Sequence, residues 1–140
     1  MSSTHKKVGY LPESKHETIS PTVAAAGIQD ALKVLEGRWK LPIIMNLFAN
    51  GIMRFSELER AIPDVTQKML IQQLRALEAD RIVQRTVYPQ VPPRVDYGLT
   101  EQGRGLCPAL DALLVWAAQR NPEAEYGGYH AKYEVLELER

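Results

Sequence analysis

The sequence predicts a mainly α-helical protein with one small β-hairpin in its second half. Five stretches carry apolar residues three and four apart, the spacing of a single helical face. One pair of alternating stretches, Val83 to Tyr88 and Arg94 to Leu99, flanks a proline-rich connection, the pattern of two strands and a loop. The 140 residues suit one domain with tails. No apolar run approaches the roughly 20 residues a membrane span needs, and a single cysteine, Cys107, excludes an intrachain disulfide.

Met1 to Thr22 lacks steady periodicity, holds Pro12 and Pro21, and reads as a flexible arm (residues 1–22). Thr22 or a neighbour starts the first helix, which carries Ile28, Ala31, Leu32 and Leu35 on one face and is ended by Gly37. Trp39 to Ala49 forms a second helix with Leu41, Ile44, Leu47 and Phe48 in a stripe; Pro42 falls in its first turn, where a missing N–H is tolerated. Arg54 and Phe55 are extended. Ser56 caps or opens a short third helix with Leu58, Ala61 and Ile62 inward, and Pro63-Asp64 makes a tight turn. Thr66 is the expected N-cap of a fourth helix, about 67 to 80, burying Met69, Leu70, Leu74 and Leu77. After the hairpin, Thr100 starts a last helix reaching about Gln119, kinked or delayed by Pro108. The tail, residues 121–140, has five acidic and two basic side chains; Tyr129, Ala131, Tyr133 and Val135 alternate as in a strand, while Glu134 to Arg140 suits a helix equally. Three helices, a hairpin and a helix, with a short turn before the fourth helical stretch, is the order of a winged helix-turn-helix.

The chain carries no net charge, with 17 basic and 17 acidic side chains. The stretch from Ile52 to Val95 is mildly basic, seven basic residues against five acidic. The outer face of the fourth helix offers Gln67, Lys68, Gln72 and Arg75 with no acid among them. Gln pairs bidentately with adenine and Arg with guanine in the major groove, and Lys reaches guanine or phosphate. The same face would serve an ordinary solvated amphipathic helix. Arg94, behind two prolines at the base of the wing, suits a phosphate or the minor groove.

Gly37-Arg38-Trp39-Lys40, Arg54-Phe55-Ser56-Glu57-Leu58, Thr66-Gln67-Lys68-Met69-Leu70, Leu74-Arg75-Ala76-Leu77-Glu78, Val91-Pro92-Pro93-Arg94-Val95-Asp96-Tyr97 and Leu99-Thr100-Glu101-Gln102-Gly103 together resemble the HxlR-type regulators, a branch of the MarR-like winged-helix proteins. The resemblance spans about Ile28 to Gln119, within a domain set at 23–120. It implies a homodimeric cytoplasmic transcription regulator that binds double-stranded DNA, with the helix at about 66–80 in the major groove and the wing at about 83–99 beside it. DNA contact is accordingly assigned to Arg54, Ser56, Thr66, Gln67, Lys68, Gln72, Arg75 and Arg94. Trp39 and Phe55 are assigned to the core.

The last helix carries more apolar residues than one core face needs (Leu106, Leu110, Leu113, Leu114, Trp116, Ala117). The first opens with Ala24, Ala25 and Ala26, small enough for close helix approach. A two-fold dimer interface is expected here, with Ile28, Leu106, Leu110, Leu113, Leu114 and Ala117 in it and recognition helices roughly 34 Å apart. Several HxlR-type proteins sense oxidants through a cysteine before the first helix; here that stretch is Pro21-Thr22-Val23-Ala24-Ala25, without a thiol. Cys107, beside Leu106 and Leu110, reads as a packing residue. A small-molecule effector is the expected signal.

No cofactor or metal is expected. His5, His16 and His130 lie at no metal-ligand spacing with one another or with Cys107. No phosphate-binding glycine loop or nucleophile elbow occurs, which leaves an enzyme unsupported. The competing reading is a winged-helix module that binds protein instead of DNA, favoured by the neutral charge and acidic tail and opposed by the acid-free face of the fourth helix.

Overall fold

In the computed structural model, residues 19–130 are described; the sequence expectations for the arm up to residue 18 and for the tail from 131 lie outside that range. The described residues fall into two compact units, 19–38 and 39–130.

In the first unit, α1 spans Pro21–Val34. Ser20 caps it, its hydroxyl accepting from the Val23 N–H at 3.1 Å, and Pro21 occupies the first turn, where its missing donor costs nothing. The start at Pro21 is the neighbour of Thr22 that the sequence allowed, and the helix ends at Val34, short of Gly37, which takes a φ of 115°. No residue of α1 is buried.

The second unit holds α2 (Lys40–Asn50), β1 (Met53–Arg54), α3 (Phe55–Ala61), α4 (Gln67–Ala79), β2 (Val83–Tyr88), β3 (Arg94–Leu99), α5 (Glu101–Arg104) and α6 (Cys107–Arg120). Its core is Ile43, Ile44 and Leu47 from α2, Leu58 from α3, and Leu70, Leu74 and Leu77 from α4, all nearly inaccessible. Trp39 is buried at the start of α2, as expected, and Phe55 is half-buried.

Several expected core positions differ. Ile43 takes the place given to Leu41 and Phe48, which stand exposed because the buried stripe of α2 runs through 43, 44 and 47. In α4 the buried residues sit at 70, 74 and 77, which turns Met69 outward. Ala61 is exposed, while Leu58 and Ile62, the latter past the end of α3, are buried as expected. Phe55 begins α3 and is not extended; Arg54 takes the N-cap place, and Ser56 is the second helical residue.

The extended residues at 53 and 54 turn the expected hairpin into a three-stranded antiparallel sheet of order β1-β3-β2, with β3 central. Met53 pairs with Tyr97 and Arg54 with Asp96, while β2 pairs β3 from Val83–Leu99 to Tyr88–Arg94. The last helix is broken at residues 105–106, and Pro108 then sits in the first turn of α6, the delayed start that a missing N–H favours. Residues 121–130 form turns, with the Tyr129 hydroxyl donating to Asp111 of α6 at 2.9 Å.

Candidate nucleic-acid interface

The turn from α3 to α4 sets the site. Asp64 adopts a φ of 69°, a left-handed conformation that an aspartate tolerates better than most residues. Thr66 then caps α4, its hydroxyl accepting the Met69 N–H at 3.1 Å and keeping its own proton to donate outward. With Leu70, Leu74 and Leu77 facing the core, Lys68, Gln72 and Arg75 fall on the opposite side, four and three residues apart, all exposed. This outward stripe carries no acid; Glu78 and Asp80 lie at the far end of the helix.

Between α4 and the sheet runs an open cleft of about 430 Å³. Phe55, Ile71 and Tyr97 line its apolar part, and Gln67, Arg75, Arg85 and the acid Glu78 its polar part. Gln67 thus stands on the wing side of α4, off the line of Lys68 and Gln72.

A second cleft of about 370 Å³ lies where β1, α3 and β3 meet, and gathers Arg54, Ser56, Arg60 and Arg94 with the acids Glu57 and Asp96. Glu57 accepts the Arg54 backbone N–H at 2.8 Å, satisfying a donor at the start of α3. Arg94 and Asp96 stand two apart on β3 and so share a face. Arg94 donates through Nε to Asp96 Oδ1 at 3.0 Å and through Nη2 to Oδ2 at 3.1 Å, and its Cζ lies 5.0 Å from the centre of the Tyr88 ring. The Asp96 hydrogen bonds raise the Arg94 guanidinium above its ordinary value, so it is cationic at any working pH.

The structure brings Arg54, Ser56 and Arg94 into one cleft, and Thr66, Lys68, Gln72 and Arg75 onto one helix, with Gln67 between helix and wing. Sequence reasoning missed Arg60, Arg85, Tyr88 and Asp96. The Arg-x-Asp alternation within a strand was the available signal for Asp96, since it places both side chains on one face; Tyr88 and Arg60 depend on strand register and helix placement.

Of the residues assigned to a dimer interface, Leu110 is already buried within the chain, Leu106, Leu114 and Ala117 are half-buried, and Leu113 and Ile28 are 51% and 62% exposed. Trp116, beside them in sequence, is 57% exposed. Cys107 is buried, and burial pushes its thiol up, with Asp111 adding to the rise and Arg104 opposing it.

A capped helix presented after a tight turn, with a three-stranded wing beside it, defines a winged helix-turn-helix protein that binds DNA and regulates transcription. The model of the HxlR-like helix-turn-helix family matches residues 34–125, and the chain belongs to that family. It is 50% identical over 91 residues to an HTH-type transcriptional regulator, YtcD, of Bacillus subtilis (strain 168), covering 65% of this chain and 71% of that one. A MarR-family transcriptional regulator from Enterococcus faecalis V583 superposes with a TM-score of 0.67 at 36% identity, over 79% of this chain and all of that one. The redox regulator HypR in its reduced form gives 0.61 at 41% identity, over 80% and 98%. Among the described residues no helix is long and apolar enough to cross a membrane.

Proposed function

We propose that the chain acts in the cytoplasm as a homodimer on a two-fold duplex site, with α4 in the major groove and the β2–β3 wing against the adjoining backbone. The observation that carries this is the outward stripe of α4: Lys68, Gln72 and Arg75 exposed, donor-rich and free of acid. Gln72 and Arg75 have the reach and geometry to read base edges. Lys68 serves guanine or phosphate, and Arg54 and Ser56, with the remaining Thr66 donor, hold the backbone in register. Gln67, turned toward the wing, contacts the groove wall.

Leu113 and Trp116 of α6, the latter with the Arg120 guanidinium 5.2 Å from its ring centre, and Ile28 and Leu32 of α1 are exposed, and a second copy of the chain would bury them. Chemistry at Cys107 is disfavoured, because the reactive thiolate needs exposure and an electropositive setting; a small-molecule effector that favours one arrangement of the dimer is the better signal.

Selection of bound sequences from random duplexes with the purified protein tests the reading. A two-fold consensus is expected, lost when Lys68, Gln72 and Arg75 are replaced together by alanine. Equal binding of that triple variant and the wild type would refute it.

A further inference from the structure

Asp96 is the one charged side chain buried among the described residues, with 4% of its surface exposed. A carboxylate removed from water is costly unless it is paired and hydrogen-bonded. Both of its oxygens are taken by one partner, Arg94, at 3.0 and 3.1 Å. Such a two-point fork fixes the plane of a guanidinium. Tyr88, directly opposite Arg94 in the β2–β3 register, places its ring 5.0 Å from Cζ and restricts the plane a second time. Two of the five guanidinium N–H groups are thereby engaged, and three remain, chiefly on Nη1. Arg94 itself stays partly open to solvent, at 38%.

The arrangement is more than the sheet requires. A β-branched residue at this central-strand position would fill the space without burying a charge. The pair also changes what Arg94 offers a duplex. A free arginine attracts every phosphate backbone, whatever its sequence. An arginine held against a carboxylate loses much of that general attraction and keeps a fixed set of donors, so it rewards a backbone or minor groove of the right shape.

We infer that Asp96 is a positioning residue of the DNA interface: it holds the Arg94 fork in one orientation and offsets its charge, so that the wing contact discriminates between duplexes by shape. The inference rests on the reading that the wing lies against DNA.

The test compares wild type, Asp96→Asn, Arg94→Ala and the double variant on the selected duplex and on a scrambled duplex of equal length, across several salt concentrations, with folding checked by circular dichroism. Asp96→Asn is expected to bind the scrambled duplex more tightly than wild type, with a salt slope steeper by about one counterion. Its preference for the selected duplex should fall about tenfold, within the range for losing one specific contact. In the Arg94→Ala background, Asp96→Asn should leave the remaining preference unchanged, since the partner through which it acts is gone. Loss of affinity by one common factor on both duplexes, or an equal effect of Asp96→Asn with and without Arg94, would overturn the inference. Should Asp96→Asn not fold, Asp96→Glu keeps the charge and displaces the fork: the preference falls at an unchanged salt slope, and wild-type preference there would overturn the inference as well. A wild type that shows no preference between the duplexes would instead overturn the DNA reading itself.

Discussion

Replacing Gly103 by alanine should destabilise the protein, although it stands in a helix where alanine is ordinarily the better residue. In an open helix interior the change gains roughly 0.5–1 kcal/mol, because glycine loses more backbone freedom on folding. Gly103 is the third residue of α5 and is buried, and a Cβ built on it would collide with the backbone carbonyl of Ile82. That oxygen accepts the Thr100 N–H at 3.0 Å and lies 3.3 Å from the Thr100 hydroxyl, which also accepts the Gly103 N–H at 2.9 Å. Neither backbone segment can rotate away like a side chain, so the start of β2 and the start of α5 must separate. Overpacking of this kind costs about 1–3 kcal/mol, and stretching the Thr100–Ile82 bonds adds about 1 kcal/mol. After the propensity gain is subtracted, a net loss of about 1–3 kcal/mol remains, or several degrees in melting temperature for a domain of this size. Urea unfolding followed by far-ultraviolet circular dichroism measures it. Gly27→Ala is the matched comparison: it lies inside α1, an added Cβ meets nothing there, and the change should be neutral or stabilising for that helix. A Gly103→Ala protein as stable as wild type would refute the reasoning, because the clash with Ile82 and the bond stretching it forces are what oppose propensity.

Gln72→Ala and Arg75→Ala should each cost about 1–3 kcal/mol on the selected duplex and relax base preference, whereas Arg54→Ala should weaken binding to all duplexes and flatten the salt dependence, as titration at several salt concentrations will show. Leu113→Glu together with Trp116→Ala should shift sedimentation toward monomer and abolish binding to a two-fold site; an unchanged dimer would place the interface elsewhere. Cys107 should react slowly with an alkylating reagent at neutral pH in the folded chain, and Cys107→Ser should leave the response of DNA binding to peroxide unaltered. Because the folded thiol is raised above its ordinary value, the fold favours its protonated form, and stability should decline as pH rises past the ordinary thiol range.

The helices were legible wherever a cap or a stripe declared them. Thr66 and Thr100 were read as helix starts from residue type alone, and both hydroxyls accept the N–H three residues on. Pro108 predicted a kink or a delayed start, and the delay is what occurs, because a proline constrains backbone whatever surrounds it. The phase of a helix was harder. Met69 and Phe48 are apolar residues at stripe edges, and only the position of neighbouring elements decides which edge is covered. Strand β1 escaped because two residues cannot show alternation; it exists through the pairing of Met53 and Arg54 with Tyr97 and Asp96, contacts more than forty residues apart. In the candidate site, the helix face could be read from spacing, while the Arg94–Asp96–Tyr88 arrangement needed the β2–β3 register as well.

A chain with no net charge can still be built for a polyanion, and the placement of its acids shows how. The five acidic residues between Ile52 and Val95 are kept off the outward stripe of α4. Glu57 is turned to the backbone N–H of Arg54, Asp64 sits in the left-handed turn before α4, and Glu78 and Asp80 fall at the end of that helix away from its capped start. Asp96, the acid nearest the wing arginine, is buried and engaged on both oxygens. The outward stripe of α4 therefore presents cations and donors without an acid, while the chain as a whole has no net charge to act on DNA beyond the roughly 10 Å over which salt screens. Weak general attraction lowers the affinity for the great excess of unrelated sequence. On the proposed reading, discrimination would then rest on contacts that require fit: the amide of Gln72, the fork of Arg75, and a wing arginine with its direction already set.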